Sequence, residues 1–242
     1  MAPKDQLIFK HLARYYDLIY SWKNYYQEAQ RVKLLIQKYK TSPGTDLLEA
    51  GCGTGRHAEF LKDDFSITAT DAHDGMLEIA RSRVKGVTFL KVDMINLRLP
   101  QKFDVVLSLF SSIGYVKTDR NLRRTLDNFA RACRPGGVVI IEPWFPKAVF
   151  RAGQSELTTH SSENIKVARL CVSKIRGDTS ILDMDYLVGE RDKPTRHYTD
   201  RHELGLFDNA TILKYLLDSH VKARFLPNGF MPDRGLIVGV KI

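Results

Sequence analysis

Residues 47–55 read Leu-Leu-Glu-Ala-Gly-Cys-Gly-Thr-Gly, a short apolar strand that runs into a turn with glycine at every second position. A helix start follows from Arg56 to Lys62. Glycine permits left-handed backbone angles and lets a ligand approach main-chain N–H groups without meeting a Cβ. The stretch predicts a nucleotide-binding turn, although such turns also serve packing alone, so the neighbouring strands must decide.

Two strands predicted downstream each end in an acidic residue. Asp71 follows the first strand, about 20 positions after Gly51, where dinucleotide-binding folds place a ribose acceptor. Asp93 follows the second strand. A carboxylate at these positions suits sugar hydroxyls, while Met76 and Met94 offer soft apolar contact to an adenine ring. Alternatively, Met76 packs in the core and Asp93 is a turn residue.

The order acidic-x-Gly-x-Gly-x-Gly, with an acidic end to the second strand, resembles the class I S-adenosylmethionine-dependent methyltransferases. Nicotinamide-binding folds show Gly-x-Gly-x-x-Gly instead. The resemblance implies an α/β, Rossmann-like fold with a seven-stranded, mostly parallel sheet whose last strand is antiparallel. It implies S-adenosylmethionine as cofactor and S-adenosylhomocysteine as product. The implied cofactor-binding residues are Tyr16, Glu49, Gly51, Gly53, Gly55, Arg56, Asp71, Ala72, Met76, Asp93, Met94 and Leu109.

Composition limits the partners of the chain. The 242 residues include 37 Lys and Arg against 28 Asp and Glu, a net charge of +9, with no compact basic run. This dispersed surplus favours an anionic small molecule over nucleic acid. Three scattered cysteines predict neither a disulfide nor a metal site. Without a signal peptide or about 20 consecutive apolar residues, we expect a cytoplasmic protein with no membrane contact.

The region from His11 to Tyr39 carries helical periodicity and opens with several aromatic residues. Two interpretations compete for its tyrosines. They either pack beneath the sheet, or close over the cofactor as in many small-molecule methyltransferases that carry Tyr-Asp-x-x-Tyr near the N-terminus. We favour the second interpretation, with Tyr16 and Tyr20 as the closing residues.

After a buried strand around residues 138–141, the pattern changes to a two-residue alternation typical of antiparallel strands. Arg176-Gly177-Asp178-Thr179 predicts a hairpin turn in this region. We therefore predict a methyltransferase core formed by residues 1–144 and 208–242. Residues 145–207 form a small antiparallel β insertion after the fifth strand, for substrate recognition, homodimer contact or both.

Later motifs narrow the resemblance to the nucleotide-sugar N,N-dimethyltransferases of the desosamine and mycaminose pathways. These motifs are Phe-Ser-Ser-Ile-Gly-Tyr at 110–115, Glu-Pro-Trp-Phe-Pro at 142–146, Arg-His-Tyr at 196–198, Leu-Phe at 206–207 and Arg-Gly-Leu-Ile-Val-Gly-Val at 234–240. Relatives of this kind methylate the amine of a thymidine-diphosphate deoxysugar twice. The chain departs from them at two places: it has one tryptophan, Trp144, where that group often reads Trp-Trp, and it has Asp233 before Arg234 where the group tends to have glycine.

The acceptor amine needs only a free lone pair, so positioning matters more than a strong base. Tyr20, Tyr115 and His197 are our candidates to orient it or take its proton, with His202 a further one. The predicted substrate-binding residues are Ser111, Glu142, Trp144, Arg196 and Arg234. The two arginines would hold a diphosphate. Glu142 either binds the substrate amine or is a buried hydrogen-bonding partner.

These features predict an S-adenosylmethionine-dependent methyltransferase that acts on the amine of a small molecule, in the narrowest version a nucleotide-linked amino sugar. One alternative is N- or O-methylation of another small metabolite such as a heterocycle. A second is RNA methylation, which the net charge favours. The dispersed basic residues and the missing Asn/Asp-Pro-Pro-aromatic motif after the fourth strand oppose it.

Overall fold

The computed structural model describes residues 4–242. No helix in this range is both long and apolar enough to cross a membrane. The α-helices are α1 (Ala13–Ile19), α2 (Tyr25–Tyr39), α3 (Arg56–Leu61), α4 (Asp74–Arg83), α5 (Asp119–Ala132) and α6 (Asn209–Asp218). The strands are β1 (Lys4–Asp5), β2 (Asp46–Ala50), β3 (Ser66–Asp71), β4 (Thr88–Lys91), β5 (Phe103–Ser108), β6 (Cys133–Ile141), β7 (Ser155–Ser161), β8 (Ile165–Arg176), β9 (Thr179–Glu190), β10 (Arg196–Gly205), β11 (Val221–Leu226) and β12 (Leu236–Lys241).

Seven strands form the larger sheet in the order β11-β12-β6-β5-β2-β3-β4. Neighbours from β6 to β4 run parallel, and β12 runs antiparallel to both β6 and β11. The predicted α/β class and seven-stranded, mostly parallel sheet are confirmed. In such a sheet the carboxyl ends of the parallel strands meet at one edge, so the ends of β2, β3 and β5 lie close together.

Alternation along the central strands builds a core on each face of this sheet. Leu47 packs in the cluster that includes residues of α2, α3 and α4. Leu48, its neighbour in sequence, packs in the opposite cluster with residues of α5 and α6. Successive side chains of a strand point to opposite faces, and helices cover both faces here. This explains why β6 ends in a continuous apolar run over residues 138–141.

A second sheet has the order β1-β10-β9-β8-β7. Its pairings are antiparallel except that of β1, which joins β10 in parallel with Lys4 opposite Asp200. The predicted hairpin turn is present, with Arg176 paired to Thr179. We did not predict β7, because most of its residues are exposed on both faces and it lacks apolar alternation.

The helical periodicity over residues 11–39 belongs to two helices, α1 and α2, with a break at residues 20–24. Asn24 causes the new start, because its side chain accepts a hydrogen bond from the Gln27 amide as a helix N-cap. The break turns α1 away from the sheet core. Its residues Tyr15 and Ile19 pack instead with apolar residues of β8 and β9.

Candidate functional site

A cavity of about 900 Å³ lies at the carboxyl edge of the large sheet. Its walls come from the segments that follow β2 to β6, from the inner face of the second sheet and from residues near the N-terminus. The described lining residues include Gln6, Phe9, Tyr16, Tyr20, Gly51, Gly53, Asp71, Ala72, Met76, Asp93, Met94, Ser111, Tyr115, Trp144, Arg169 and Arg234. Most of the residues predicted from sequence are therefore gathered in one place.

The glycine turn is fixed against its neighbours. Gly51 has φ of 77°, and a Cβ there would lie 2.7 Å from Cβ of Ser112. The Gly53 amide donates to Asp71 Oδ2 at 2.9 Å, and the His73 amide donates to Asp71 Oδ1 at 2.9 Å. Only glycine tolerates both the backbone angle and the close approach at position 51. The Asp71 side chain thus fixes the conformation of the glycine turn and also forms part of the cavity wall.

The adjoining strand ends complete this half of the cavity. The Asp93 side chain accepts from the Ile95 amide at 2.8 Å and begins a short 3₁₀ turn over residues 94–96. Met94 and Ala72 line the cavity beside it. Met76 also reaches the cavity, although it is only 1% exposed. Met76 is therefore a core residue whose side chain also forms part of the cavity wall.

The tyrosines of α1 and of its C-cap differ in where their side chains lie. Tyr15 is buried in the core, whereas Tyr16 and Tyr20 line the cavity with ring centroids 4.7 Å apart. Asp17 ties this helix to the glycine turn by accepting from Thr54 Oγ1 at 2.7 Å and by pairing with Arg83. The Tyr-Asp-x-x-Tyr motif thus supplies the two rings that face the cavity, from Tyr16 and Tyr20. It also supplies the Asp17 carboxylate that holds them beside the glycine turn.

A strained turn separates the two halves of the cavity. Phe110 and Ser111 have φ of 49° and 61°, which is unfavourable for side chains with a Cβ. Glu142 is fully buried and its Oε2 accepts from the Phe110 amide at 2.7 Å. The Ser111 hydroxyl donates to the Pro143 carbonyl at 2.8 Å. Of the two interpretations of Glu142, the geometry matches the hydrogen-bonding partner. Burial raises the pKa of Glu142.

A buried chain of charged groups supports the glycine turn from behind. Lys23 pairs with Glu28, whose Oε2 is 2.8 Å from His57 Nε2, and His57 Nδ1 is 3.5 Å from Glu49 Oε1. Burial alone would lower the pKa of His57, but its hydrogen bonds to Glu28 and Glu49 raise it to about 9. Sequence analysis missed Lys23, Glu28 and His57, since nothing in their spacing pairs them.

Four predicted cofactor residues are not among the described residues that line the main cavity. Glu49 lies in the buried charged chain through Oε1, and its Oε2 has no hydrogen-bond partner among residues 4–242. Arg56 and Leu109 line a small recess behind the glycine turn. Gly55 faces Ala80 of α4, whose Cβ would lie 3.2 Å from a Cβ at position 55.

We expect the protein to lose stability as the pH rises from neutrality through about 9. A raised histidine pKa stabilises the folded state fully below the unfolded value of about 6.5, and this contribution disappears above the folded value. The difference corresponds to roughly 3 kcal/mol for this buried group. Urea denaturation at pH 6 and pH 9.5 should show that difference in wild type and much less of it in His57→Gln. Parallel losses in the two proteins would contradict the assignment.

The half of the cavity away from the glycine turn is lined by basic and aromatic side chains. The Arg234 guanidinium lies 4.4 Å from the ring centroid of Trp144 and 4.7 Å from that of Phe145. Its Nη1 is 3.1 Å from Ser111 Oγ, and its buried Nε has no hydrogen-bond partner among residues 4–242. Arg169 donates to the Tyr20 hydroxyl at 2.8 Å. Arg151 and Phe150 also line this end, and sequence analysis singled out neither them nor Arg169.

Two predicted residues are corrected. His197 lies outside the cavity, more than half exposed, with Nε2 2.7 Å from Asp185 Oδ1. Arg196 also lies outside it and pairs with Glu190 near the Tyr15 hydroxyl. Both occupy the far end of β10, whereas His202 lies further along the strand, beside Tyr115. Sequence alone could not tell which end of this strand faces the cavity.

Comparisons with known proteins agree with this geometry. A family model described as a methyltransferase domain matches residues 47–137. The dTDP-3-amino-3,4,6-trideoxy-alpha-D-glucopyranose N,N-dimethyltransferase of Streptomyces venezuelae is 34% identical over 93% of this chain and 95% of its own. The dTDP-4-amino-2,3,4,6-tetradeoxy-D-glucose N,N-dimethyltransferase of Saccharopolyspora spinosa is 33% identical over 93% and 91%. The crystal structure of DesVI from Streptomyces venezuelae superposes with a TM-score of 0.89 at 33% identity, covering 95% of this chain and 98% of the other.

Proposed function

Because the chain belongs to the S-adenosylmethionine-dependent N,N-dimethyltransferases of nucleotide-linked amino sugars, we propose that its acceptor is the amine of a deoxysugar carried on a nucleoside diphosphate. The observation that carries this proposal is the end of the cavity where three arginines stand beside three aromatic rings. These residues are Arg151, Arg169, Arg234, Trp144, Phe145 and Phe150. Guanidinium groups bind phosphate oxygens through paired hydrogen bonds, and aromatic rings offer faces on which a nucleobase stacks.

The opposite end fits S-adenosylmethionine. Gly53 lines the cavity and a Cβ there would meet only Met76 Cε, at 3.6 Å, so its absence leaves room for the ligand. Asp71 accepts from two backbone amides, and a carboxylate has about four acceptor sites, so it keeps capacity for ribose hydroxyls. Asp93 and Met94 would contact the adenine side. When bound, S-adenosylmethionine supplies a methyl group on a positively charged sulfur, which needs no further activation.

The protein must then hold the amine in line with that methyl group and exclude water. Good alignment supplies about 7–11 kcal/mol in favourable cases. Tyr20 and Tyr115 are the proposed catalytic residues, since both hydroxyl-bearing rings line the cavity between its two ends. The Tyr20 oxygen accepts from Arg169 and retains a lone pair for an amine N–H. Tyr16 covers the cofactor side.

We also propose that two parts of the chain have different functions. Residues 1–144 and 208–242 would bind the cofactor, and residues 145–207 would recognise the substrate. Inner-face residues of the second sheet, such as Arg169 and Met184, line the cavity and support this division. The outer face exposes Leu157, Leu170 and Leu187, which would suit a homodimer contact. The three free cysteines suit a reducing cytoplasm.

Mass spectrometry of reactions with S-adenosylmethionine tests the acceptor. We expect thymidine-diphosphate amino sugars to gain one and then two methyl groups. The panel should include sugars with the amine at position 3 and at position 4, the same sugars without nucleotide, heterocycles and transfer RNA. Methylation of a heterocycle or of RNA, with every amino sugar unmodified, would contradict the proposal and leave the methyltransferase assignment standing.

A further inference from the structure

Three polar side chains behind the cavity form a continuous hydrogen-bonded chain. Tyr115 lines the cavity from the 3₁₀ turn over residues 112–116. Its hydroxyl oxygen is 2.6 Å from Nδ1 of His202 on β10, and His202 Nε2 is 3.1 Å from Oδ2 of Asp200. His202 is 2% exposed and Asp200 is fully buried. The chain thus runs from the cavity wall into the interior.

The donors around Asp200 fix the direction of these hydrogen bonds. Its carboxyl group also accepts from the amides of Leu7, Ile8 and Arg201, each at 2.9 Å. Three amide donors on one carboxyl group favour its carboxylate form, which only accepts hydrogen bonds. His202 must therefore carry its hydrogen on Nε2. Its Nδ1 has a lone pair, and the Tyr115 hydroxyl donates to it.

We propose that Tyr115, His202 and Asp200 form a relay that removes the proton from the ammonium form of the acceptor. This inference rests on the proposed function, because it needs an amine substrate. One N–H bond of the ammonium breaks and an O–H bond forms on Tyr115. In the same step the original hydroxyl proton moves to His202 Nδ1. The amine gains its lone pair, the imidazole becomes positively charged and the Asp200 carboxylate balances that charge. The stored proton returns to solvent with product release.

The surroundings explain why the tyrosine needs a partner. Burial raises the pKa of Tyr115 well above its usual value, so the phenolate is not accessible at neutral pH. In the relay the side chain gives up one proton as it takes another and stays neutral. The titratable and charged groups that face it include Tyr16, Tyr20, Tyr186, Asp200, Arg169, Arg234 and His202. Phe9 packs against the rings of Tyr115 and His202, with His73 on its other side.

The same strand supplies a matched control. His197 pairs with Asp185 as His202 pairs with Asp200, but His197 is exposed, lies outside the cavity and contacts no tyrosine hydroxyl among residues 4–242. His197→Asn and His202→Asn therefore make the same chemical change in two histidine–aspartate pairs. An asparagine can hydrogen-bond to a neighbour, but it does not bind a proton at neutral pH.

Single-turnover methyl transfer between pH 6 and pH 9.5 gives the first readout. We expect His202→Asn to lower the rate constant about 10²-fold at pH 7. The loss should shrink at high pH, where the free amine arrives already deprotonated. The Kd for S-adenosylmethionine should not change, and His197→Asn should match wild type. If His202→Asn does not fold, Tyr115→Phe tests the relay from its other end. A rate loss that is constant with pH would overturn the proposal.

A second readout needs no substrate. In protein labelled with ¹⁵N-histidine, the ring nitrogen shifts report which nitrogen carries the hydrogen. We expect the Nε2–H form for His202, with its Nδ1 shift altered in Tyr115→Phe. An Nδ1–H form would overturn the relay. If wild type methylated no amino sugar of the panel, the proposed function would fail, and this measurement would still decide the arrangement of the three residues.

Discussion

Replacing Asp71 with alanine should weaken S-adenosylmethionine binding about 10³-fold. The carboxylate lies on the cavity wall with two backbone amides on it and acceptor capacity to spare. Hydrogen bonds from ribose hydroxyls to a charged acceptor contribute about 1.5–3 kcal/mol each. A loss of about 4 kcal/mol corresponds to a 10³-fold change in Kd. Isothermal titration calorimetry with S-adenosylmethionine and S-adenosylhomocysteine would measure it.

Asp74→Ala is the matched control for this prediction. Asp74 lies three positions further on, largely exposed and paired with Lys91 at the surface. We expect its Kd to match that of wild type, because an exposed ion pair is worth little. Asp71→Asn keeps one acceptor oxygen for the Gly53 amide, so the glycine turn should stay ordered. This variant therefore distinguishes weaker binding caused by a lost ligand contact from weaker binding caused by a disordered turn. Near-normal affinity in both Asp71 variants, with unchanged thermal unfolding, would refute the site assignment.

Replacing Arg234 with methionine should lower kcat/KM for a nucleotide-linked amino sugar about 10³-fold. The guanidinium is held between Trp144, Phe145 and Ser111, and this packing orients it before a ligand arrives. Removing one partner of a desolvated charge pair costs about 2–5 kcal/mol. Methionine retains apolar contact with both rings, so the loss reports the charge and its hydrogen bonds.

Two comparisons make the Arg234 measurement specific. Steady-state kinetics with the same amino sugar lacking its nucleotide should give equal, low values in wild type and variant, because no diphosphate is present. Arg196→Met removes an arginine that pairs with Glu190 outside the cavity. It should leave kcat/KM unchanged. Equal losses with both acceptors would mean that Arg234 shapes the cavity and does not bind the diphosphate.

Local patterns in the sequence were enough to predict which residues gather at the glycine-turn half of the cavity. The glycine turn depends on backbone freedom and on its place between a strand and a helix, and both can be read from consecutive residues. Asp71 and Asp93 follow from strand ends, because parallel strands present their carboxyl ends at one edge. The seven-stranded sheet was expected from the resemblance to class I methyltransferases, because the alternation of apolar strands and amphipathic helices predicts only an α/β fold with a β insertion.

The sequence did not allow us to predict which side chains of the second sheet face the cavity. His197 and His202 lie on one strand with an odd spacing, so their side chains point to opposite faces. The two-residue period of a strand therefore predicts that only one of the two histidines points to the inner face of the second sheet. Tertiary packing decides which histidine it is. Arg169 was missed for a similar reason, since an arginine in an amphipathic strand looks solvent-exposed until the hydroxyl of Tyr20, distant in sequence, is placed beside it.

The bond between the Leu7 amide and Asp200 spans 193 positions of the chain. A ribosome adding about 5–20 residues per second needs roughly 10–40 s to make the intervening segment. Until β10 has emerged, the N-terminal segment has no carboxylate to dock on, and Leu7, Ile8 and Phe9 remain available to chaperones. The cofactor half of the sheet can assemble earlier, from nearer neighbours. During synthesis the glycine-turn side of the cavity is therefore in place before its N-terminal wall, which docks only after β10 has emerged.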